Sequence, residues 1–112
     1  MKKIVACIAL AVWSQQALPQ TSTVLGSTDA RRCYQESQLV LSSSGLPWCN
    51  AAIKSGELTR RDLAATYSNR GLIYAGIGEL ELALRDQMKA IELQPAMAQA
   101  YINRGNVYHH MK

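Results

Sequence analysis

Phenylalanine is absent from the 112 residues, and the aromatic bulk rests on five Tyr and two Trp. Hydrophobic residues still make up 48% of the chain, which suits a small helical core and excludes a disordered acidic or Ser/Pro-rich tail. The length excludes two independent domains. No long apolar stretch is present. The uncharged run Ile4–Trp13 is ten residues, which as helix reaches about 15 Å, half the hydrocarbon thickness of a bilayer. No glycine-rich phosphate loop follows a strand, no His/Glu pair has metal-ligand spacing, and no Ser or Cys has a base and an orienting group. The chain therefore reads as a non-enzyme with no cofactor and no metal. His109 and His110 are adjacent, so on a helix they project about 100° apart and read as polar surface. A basic stripe is missing too. Arg31-Arg32 and Arg60-Arg61 are separate pairs, which argues against nucleic acid as a partner.

What is present begins with an export signal. Lys2 and Lys3 precede the apolar run, and a polar segment follows it, the pattern of a secretory signal peptide over residues 1–26 with cleavage between Ala17 and Gly26. Ile4-Val5-Ala6-Cys7 superficially matches a lipoprotein box, but the apolar region follows that cysteine where it should precede it. The chain is expected in the periplasm or outside the cell. The alternative is an uncleaved signal anchoring it to the inner membrane, the one case in which membrane contact is expected. Loss of Lys2 and Lys3 reduces the formal charge of +4 to ten basic against eight acidic residues, a net of +2, so the basic pI of about 9.2 says little about partners.

An exported chain meets an oxidising space, and with Cys7 removed two cysteines remain, Cys33 and Cys49. Their separation of sixteen does not suit a metal knuckle, and no His lies near either. They read as a disulfide, worth about 3 kcal/mol for a loop of this size. Two buried thiols in a helix pair are the other reading.

The sequence matches itself at an offset of 34 residues. Tyr67-Ser68-Asn69-Arg70-Gly71-Leu72-Ile73-Tyr74 aligns with Tyr101-Ile102-Asn103-Arg104-Gly105-Asn106-Val107-Tyr108, and five of eight positions are identical. That period belongs to two-helix units that stack on copies of themselves. Between the copies, Gly76 and Gly78 mark a turn. Leu80, Leu84, Met88 and Ile91 then recur at helical spacing, and Pro95 ends the helix. Thr59 followed by Asp62 makes a variant capping box for the helix that runs to about Ala75.

On these residues the segment 64–97 resembles one tetratricopeptide repeat, and 98–112 resembles the first helix of another or a capping helix. Tyr67, Gly71 and Tyr74, with Tyr101, Gly105 and Tyr108 one period later, match the aromatic, small and aromatic positions of the family's first helix. Gly78, Ala83, Ala90 and Pro95 match the turn, the two small positions of the second helix and the closing proline. Gly71 and Ala83 lack bulk where antiparallel helices approach to about 8–10 Å. One period earlier, residues 30–63 form a degenerate hairpin, with Cys33, Ser37 and Val40 on its first helix, a turn over residues 41–47, and Cys49, Ala52 and Ile53 on its second. The last helix, Ala96 to about Met111, would cover the Leu-rich face of its predecessor. Arg70 and Arg104 stand where the family usually has Leu, and Gln87 where it has a large apolar residue, so the interhelix core is expected to be weakened. Either arginine could pair with Asp86 or lie in solvent.

The resemblance implies an all-α fold of antiparallel helix hairpins stacked as a short right-handed solenoid, in a small exported protein of bacterial type. It also implies a non-catalytic module that binds a protein or peptide on the concave face of its first helices. Asn69 and Asn103 match a groove-facing position whose amides can pair with an extended backbone, and Ser68, Leu72 and Asn106 would line the same groove. With Ala65, Gln99 and Ile102 these make an uncharged lining, which disfavours an acidic C-terminus as ligand. The alternative is a structural fragment or accessory subunit of a larger assembly, with no peptide groove of its own. One and a half repeats fall short of the three usually needed to bury a continuous core. Stability would come from elsewhere, or the chain is a piece of a longer repeat protein.

Overall fold

The computed structural model describes residues 25–112; apart from Leu25 and Gly26, the segment read as a signal peptide lies outside them. The described residues form five helices and no strand: α1 (Leu25–Ser37), α2 (Leu46–Ser55), α3 (Arg60–Gly76), α4 (Leu80–Leu93) and α5 (Ala98–His110). Among the described residues, no helix is long and apolar enough to cross a membrane.

The best-marked element is α3. Thr59 is extended at φ −61°, ψ 160°, and its Oγ1 accepts from the Asp62 N–H at 3.1 Å, while the Asp62 carboxylate sits in the positive first turn. At the other end Gly78 takes φ +85°, its N–H donates to Ala75 O at 3.1 Å, and the Glu79 N–H donates to Tyr74 O at 2.8 Å. These two bonds make a Schellman cap, whose left-handed position suits glycine. The turn is thereby short, and α4 folds straight back along α3. Antiparallel pairing is visible in the cross-links. Arg60 Nε donates to Leu93 O at 2.8 Å, Ser68 meets Gln87, Arg70 meets Asp86, and Gly71 lies against Ala83, so numbers rise on one helix as they fall on the other.

The first hairpin departs from expectation at its turn. Ser37 ends α1, its Oγ donating to Tyr34 O at 2.6 Å, and Leu41 adopts φ 58° as the chain reverses. Val40 therefore lies in the turn, exposed, and not on the first helix. The turn also closes sooner than residue 47. Pro47 falls in the first turn of α2, where its missing N–H costs nothing. Likewise α5 starts at Ala98, because Pro95 and Ala96 are spent in the turn, and the Tyr101 hydroxyl donates to Pro95 O at 2.8 Å.

Two small clusters hold the helices together. Cys33, Cys49 and Ile73 join α1, α2 and α3, with Cys33 Sγ 3.9 Å from the Thr66 carbonyl oxygen; the two cysteine Cα atoms are 4.7 Å apart and their side chains face each other. Ala64, Ala90 and Ala100 join α3, α4 and α5, each without solvent exposure, and Tyr67, Ile91, Leu93 and Met97 pack around them. In chain order, α1 and α2 pack on α3, α3 pairs with α4, and α5 lies on both α3 and α4.

Gly71 sits where α3 and α4 cross. A Cβ there would lie 2.5 Å from Gln87 Nε2 and 3.2 Å from Ala83 O. Gly105, one period later, has nothing within 4 Å of that position, and Tyr101 and Tyr108 are exposed. These three residues therefore do not take the packing role that the repeat implied for them, because no second helix covers that face of α5 among the described residues. Gly71→Ala is accordingly expected to destabilise the chain by about 1–3 kcal/mol. Gly105→Ala should stabilise it by about 0.5–1 kcal/mol, through helix propensity alone. Urea denaturation of the two variants measures both, and a shared sign would refute the assigned crossing.

Candidate functional site

The parallel pair α3 and α5 frames the surface to which the sequence points. Its centre is a polar node. The Ser68 hydroxyl donates to Gln87 Oε1 at 2.8 Å and accepts from Asn103 Nδ2 at 3.1 Å. Gln87 Nε2 returns a bond to the Ser68 carbonyl oxygen at 2.9 Å, and Gln99 Nε2 donates to Asn103 Oδ1 at 3.1 Å. Gln87 is fully enclosed, and among the described residues no buried side-chain nitrogen or oxygen lacks a partner. Such a closed network ties α3, α4 and α5 together without the desolvation cost of an orphaned amide.

This arrangement corrects two expectations. Ser68 and Asn103 retain only 3% and 4% of their surface and are hydrogen-bonded within the fold; Ser68 takes no part in the cavity between α3 and α5, while Asn103 stands in its wall. The paired ladder of Asn69 and Asn103 is lost with them. Gln87, expected to weaken the core, instead fills it. Its side chain occupies the space that Gly71 leaves open.

Ser68 and Asn103 apart, the expected groove residues remain reachable, Gln99 and Ile102 being exposed and Ala65 partly so. Asn69 is partly exposed and makes no side-chain hydrogen bond among the described residues. Leu72, partly buried, and Asn106, exposed, flank a cavity of about 190 Å³ between α3, α5 and the start of α4. Leu72, Ala75, Leu80 and Val107 supply apolar wall, while His110, whose Nδ1 lies 2.8 Å from Asn106 O, stands at the polar edge. The volume is below the roughly 300 Å³ at which small-molecule sites begin, so it fits a single side chain better than a cofactor. Among the described residues no group of three His, Cys, Asp or Glu is placed to hold a metal.

The second polar feature is structural. Arg70 grips Asp86 with two bonds of 2.8 Å from Nε and Nη2, donates to Asn50 Oδ1 at 3.0 Å, and lies 5.3 and 5.6 Å from the Tyr67 and Tyr74 ring centres. The hydrogen bond to Asp86 raises the Arg70 pKa above its ordinary value, against the lowering effect of burial. Of the two environments open to this arginine in the sequence, the structure takes the ion pair, made within its own hairpin and tied also to α2. Both the Ser68 node and this pair escaped sequence reasoning as core elements, although Arg70 and Gln87 at positions usually apolar were a signal that polar partners compensate them.

Ser68→Ala would strand the Gln87 and Asn103 amides, and is expected to cost about 1–3 kcal/mol. Asn69→Ala, with no partner to strand, should stay within about 0.5 kcal/mol of the parent. Chemical denaturation of both variants distinguishes the buried amides from the free one.

The comparisons with known proteins agree with this geometry. The family model of the tetratricopeptide repeat matches residues 64–97, which span α3 from its fifth residue, α4 and the turns that flank α4. Tetratricopeptide repeat protein 6 of Homo sapiens is 42% identical over 43 residues, covering 38% of this chain and 8% of that protein. No solved structure matches the chain. Repeats of this kind generally mediate protein–protein interactions and are generally non-catalytic. The all-helical hairpin and the match over 64–97 together support the tetratricopeptide repeat as the family to which this part of the chain is similar.

Proposed function

We propose that this protein is a non-catalytic, protein- or peptide-binding module of an exported compartment, which engages its partner along the face shared by α3 and α5. The observation that carries the reading is the apolar cavity flanked by Leu72 and Asn106, with the unengaged Asn69 amide on the same helix as Leu72. One partner side chain enters the cavity, while the two amides, each both donor and acceptor, hold the partner's backbone on either side. Lining groups without formal charge favour a neutral or apolar segment over an acidic tail.

Two further features belong to this reading. Export rests on the basic, apolar and polar succession before residue 26. In that compartment Cys33 and Cys49 are bonded, stapling α1 to α2 and bracing α3 through Ile73.

Leu72→Asp combined with Asn106→Ala should abolish partner capture from the exported fraction. The melting temperature should remain within a few degrees, since Leu72 is only partly buried and Asn106 is exposed. Capture that persists at parental level would reject this face. Thiol titration of the exported, denatured and unreduced chain is expected to find no free thiol at Cys33 or Cys49, and two reactive thiols would reject the bridge.

A further inference from the structure

The turn between α1 and α2 carries apolar side chains that the core does not use. Leu39, Val40 and Leu41 are 54, 84 and 77% exposed. Leu41 also holds φ 58°, a left-handed conformation that favours glycine, so a large side chain is displayed there at a backbone cost. The polar groups of the loop are turned on one another. The Ser42 and Ser44 hydroxyls are bonded at 2.8 Å, the Ser44 hydroxyl also donates to the Glu36 carboxylate, and the Leu39 N–H donates to Glu36 O at 3.0 Å. No charged residue stands between Glu36 and Lys54.

Behind this tip the two helices carry aromatic and then basic groups. Trp48 is exposed in the first turn of α2, and Tyr34 is exposed on α1 about 5 Å before its end. Arg31 and Arg32 lie about 8–9 Å before the same end. Arg31 precedes Tyr34 by three positions, so the two share a face of α1, and the Arg32 guanidinium lies 4.8 Å from the Trp48 ring centre. Both arginines are exposed, and neither pairs with a carboxylate among the described residues. Aliphatic tip, aromatic collar and basic ring thus succeed one another within about 10 Å, the depth over which a bilayer passes from acyl chains to phosphate.

We propose that the α1–α2 turn is a wedge that inserts Leu39, Val40 and Leu41 into the surface of a phospholipid bilayer, with Tyr34 and Trp48 at the headgroup level and Arg31 and Arg32 on the phosphates. Burial of the aliphatic side chains supplies the attraction, and the two free guanidiniums complement the lipid anions. A protein partner is the poorer occupant, because three side chains on a turn offer well under the roughly 800 Å² that each side of a stable protein interface buries. The contact is confined to this hairpin: the neighbouring α3–α4 turn adds the exposed Ile77 but also the exposed Glu79. The wedge lies outside the matched residues 64–97 and shares no residue with the binding face of Leu72, Asn69 and Asn106, so it does not depend on that reading.

The test uses the full chain carrying Ile8→Asp, Leu10→Asp and Trp13→Ser, which silence the N-terminal apolar run and leave Trp48 as the one tryptophan. Vesicles of phosphatidylethanolamine and phosphatidylglycerol should carry this chain upward in flotation. Trp48 emission should shift to the blue and be quenched by lipids brominated near the top of the acyl chain. Val40→Asp combined with Leu41→Asp should weaken vesicle binding about tenfold or more at an unchanged melting temperature, since both side chains are exposed. Leu41→Gly should weaken it about fivefold while leaving the melting temperature unchanged or raised, because glycine accepts the left-handed backbone. Arg31→Gln and Arg32→Gln should each cost about fivefold. Absence of flotation, or binding indifferent to the loop aspartates or to loss of the arginines, would overturn the proposal. So would a dimer, seen by sedimentation equilibrium without vesicles, that Val40→Asp with Leu41→Asp renders monomeric, since the tip would then belong to a second copy of the chain.

Discussion

The α3–α4 crossing depends on the side chain that Gly71 lacks. With a Cβ in place, the Gln87 amide could not reach Ser68, and the backbone at Ala83 would be pushed outward. Because the amide does reach, it fixes Ser68, which in turn receives Asn103 from α5. A single missing methyl thus sets the distance between two helices and, through hydrogen bonds, the position of a third. The cavity beside Leu72 and Asn106 is a product of that placement, since α5 and α3 form opposite walls of it.

Polarity inside this fold is concentrated at helix contacts that an apolar repeat would fill with Leu or an aromatic ring. Arg70 and Asp86 form a partly sheltered pair, and the pair is embedded among two tyrosine rings and Asn50. Burying such groups adds little net stability compared with a well-packed apolar substitute, but removing one partner alone is costly. Register is the gain offered by this chemistry: two-pronged recognition tolerates no sliding of α3 along α4, whereas alanine against alanine would.

The 34-residue offset made much of the architecture legible, because a repeat writes its helix contacts twice. Thr59, Gly78 and Pro95 could be assigned from local backbone chemistry and Gly71 from the resemblance, and α3 and α4 lie within a few residues of the expected limits. Burial across helices was harder to read. Asn69 and Asn103 are the same letter at the same repeat position, but α5 presses Asn103 onto Ser68, while Asn69 has no comparable neighbour to bond. Likewise Tyr101 and Tyr108 carry the signature of packed residues and are exposed, since packing needs a second surface that a one-dimensional motif does not contain. The first hairpin was blurred for another reason: its loop of serines and leucines offers no sharp stop signal, and Pro47 is as much at home opening a helix as closing a turn.

At the meeting of Ala64, Ala90 and Ala100, three backbones are separated by little more than methyl groups. Spacing between successive helices is then dictated by the peptide framework itself and hardly at all by side-chain length. Enlarging any one of these positions would act as a wedge on two interfaces simultaneously. Evolutionary change at the three sites should consequently be concerted or absent, and drift at one alone would open the stack like a hinge.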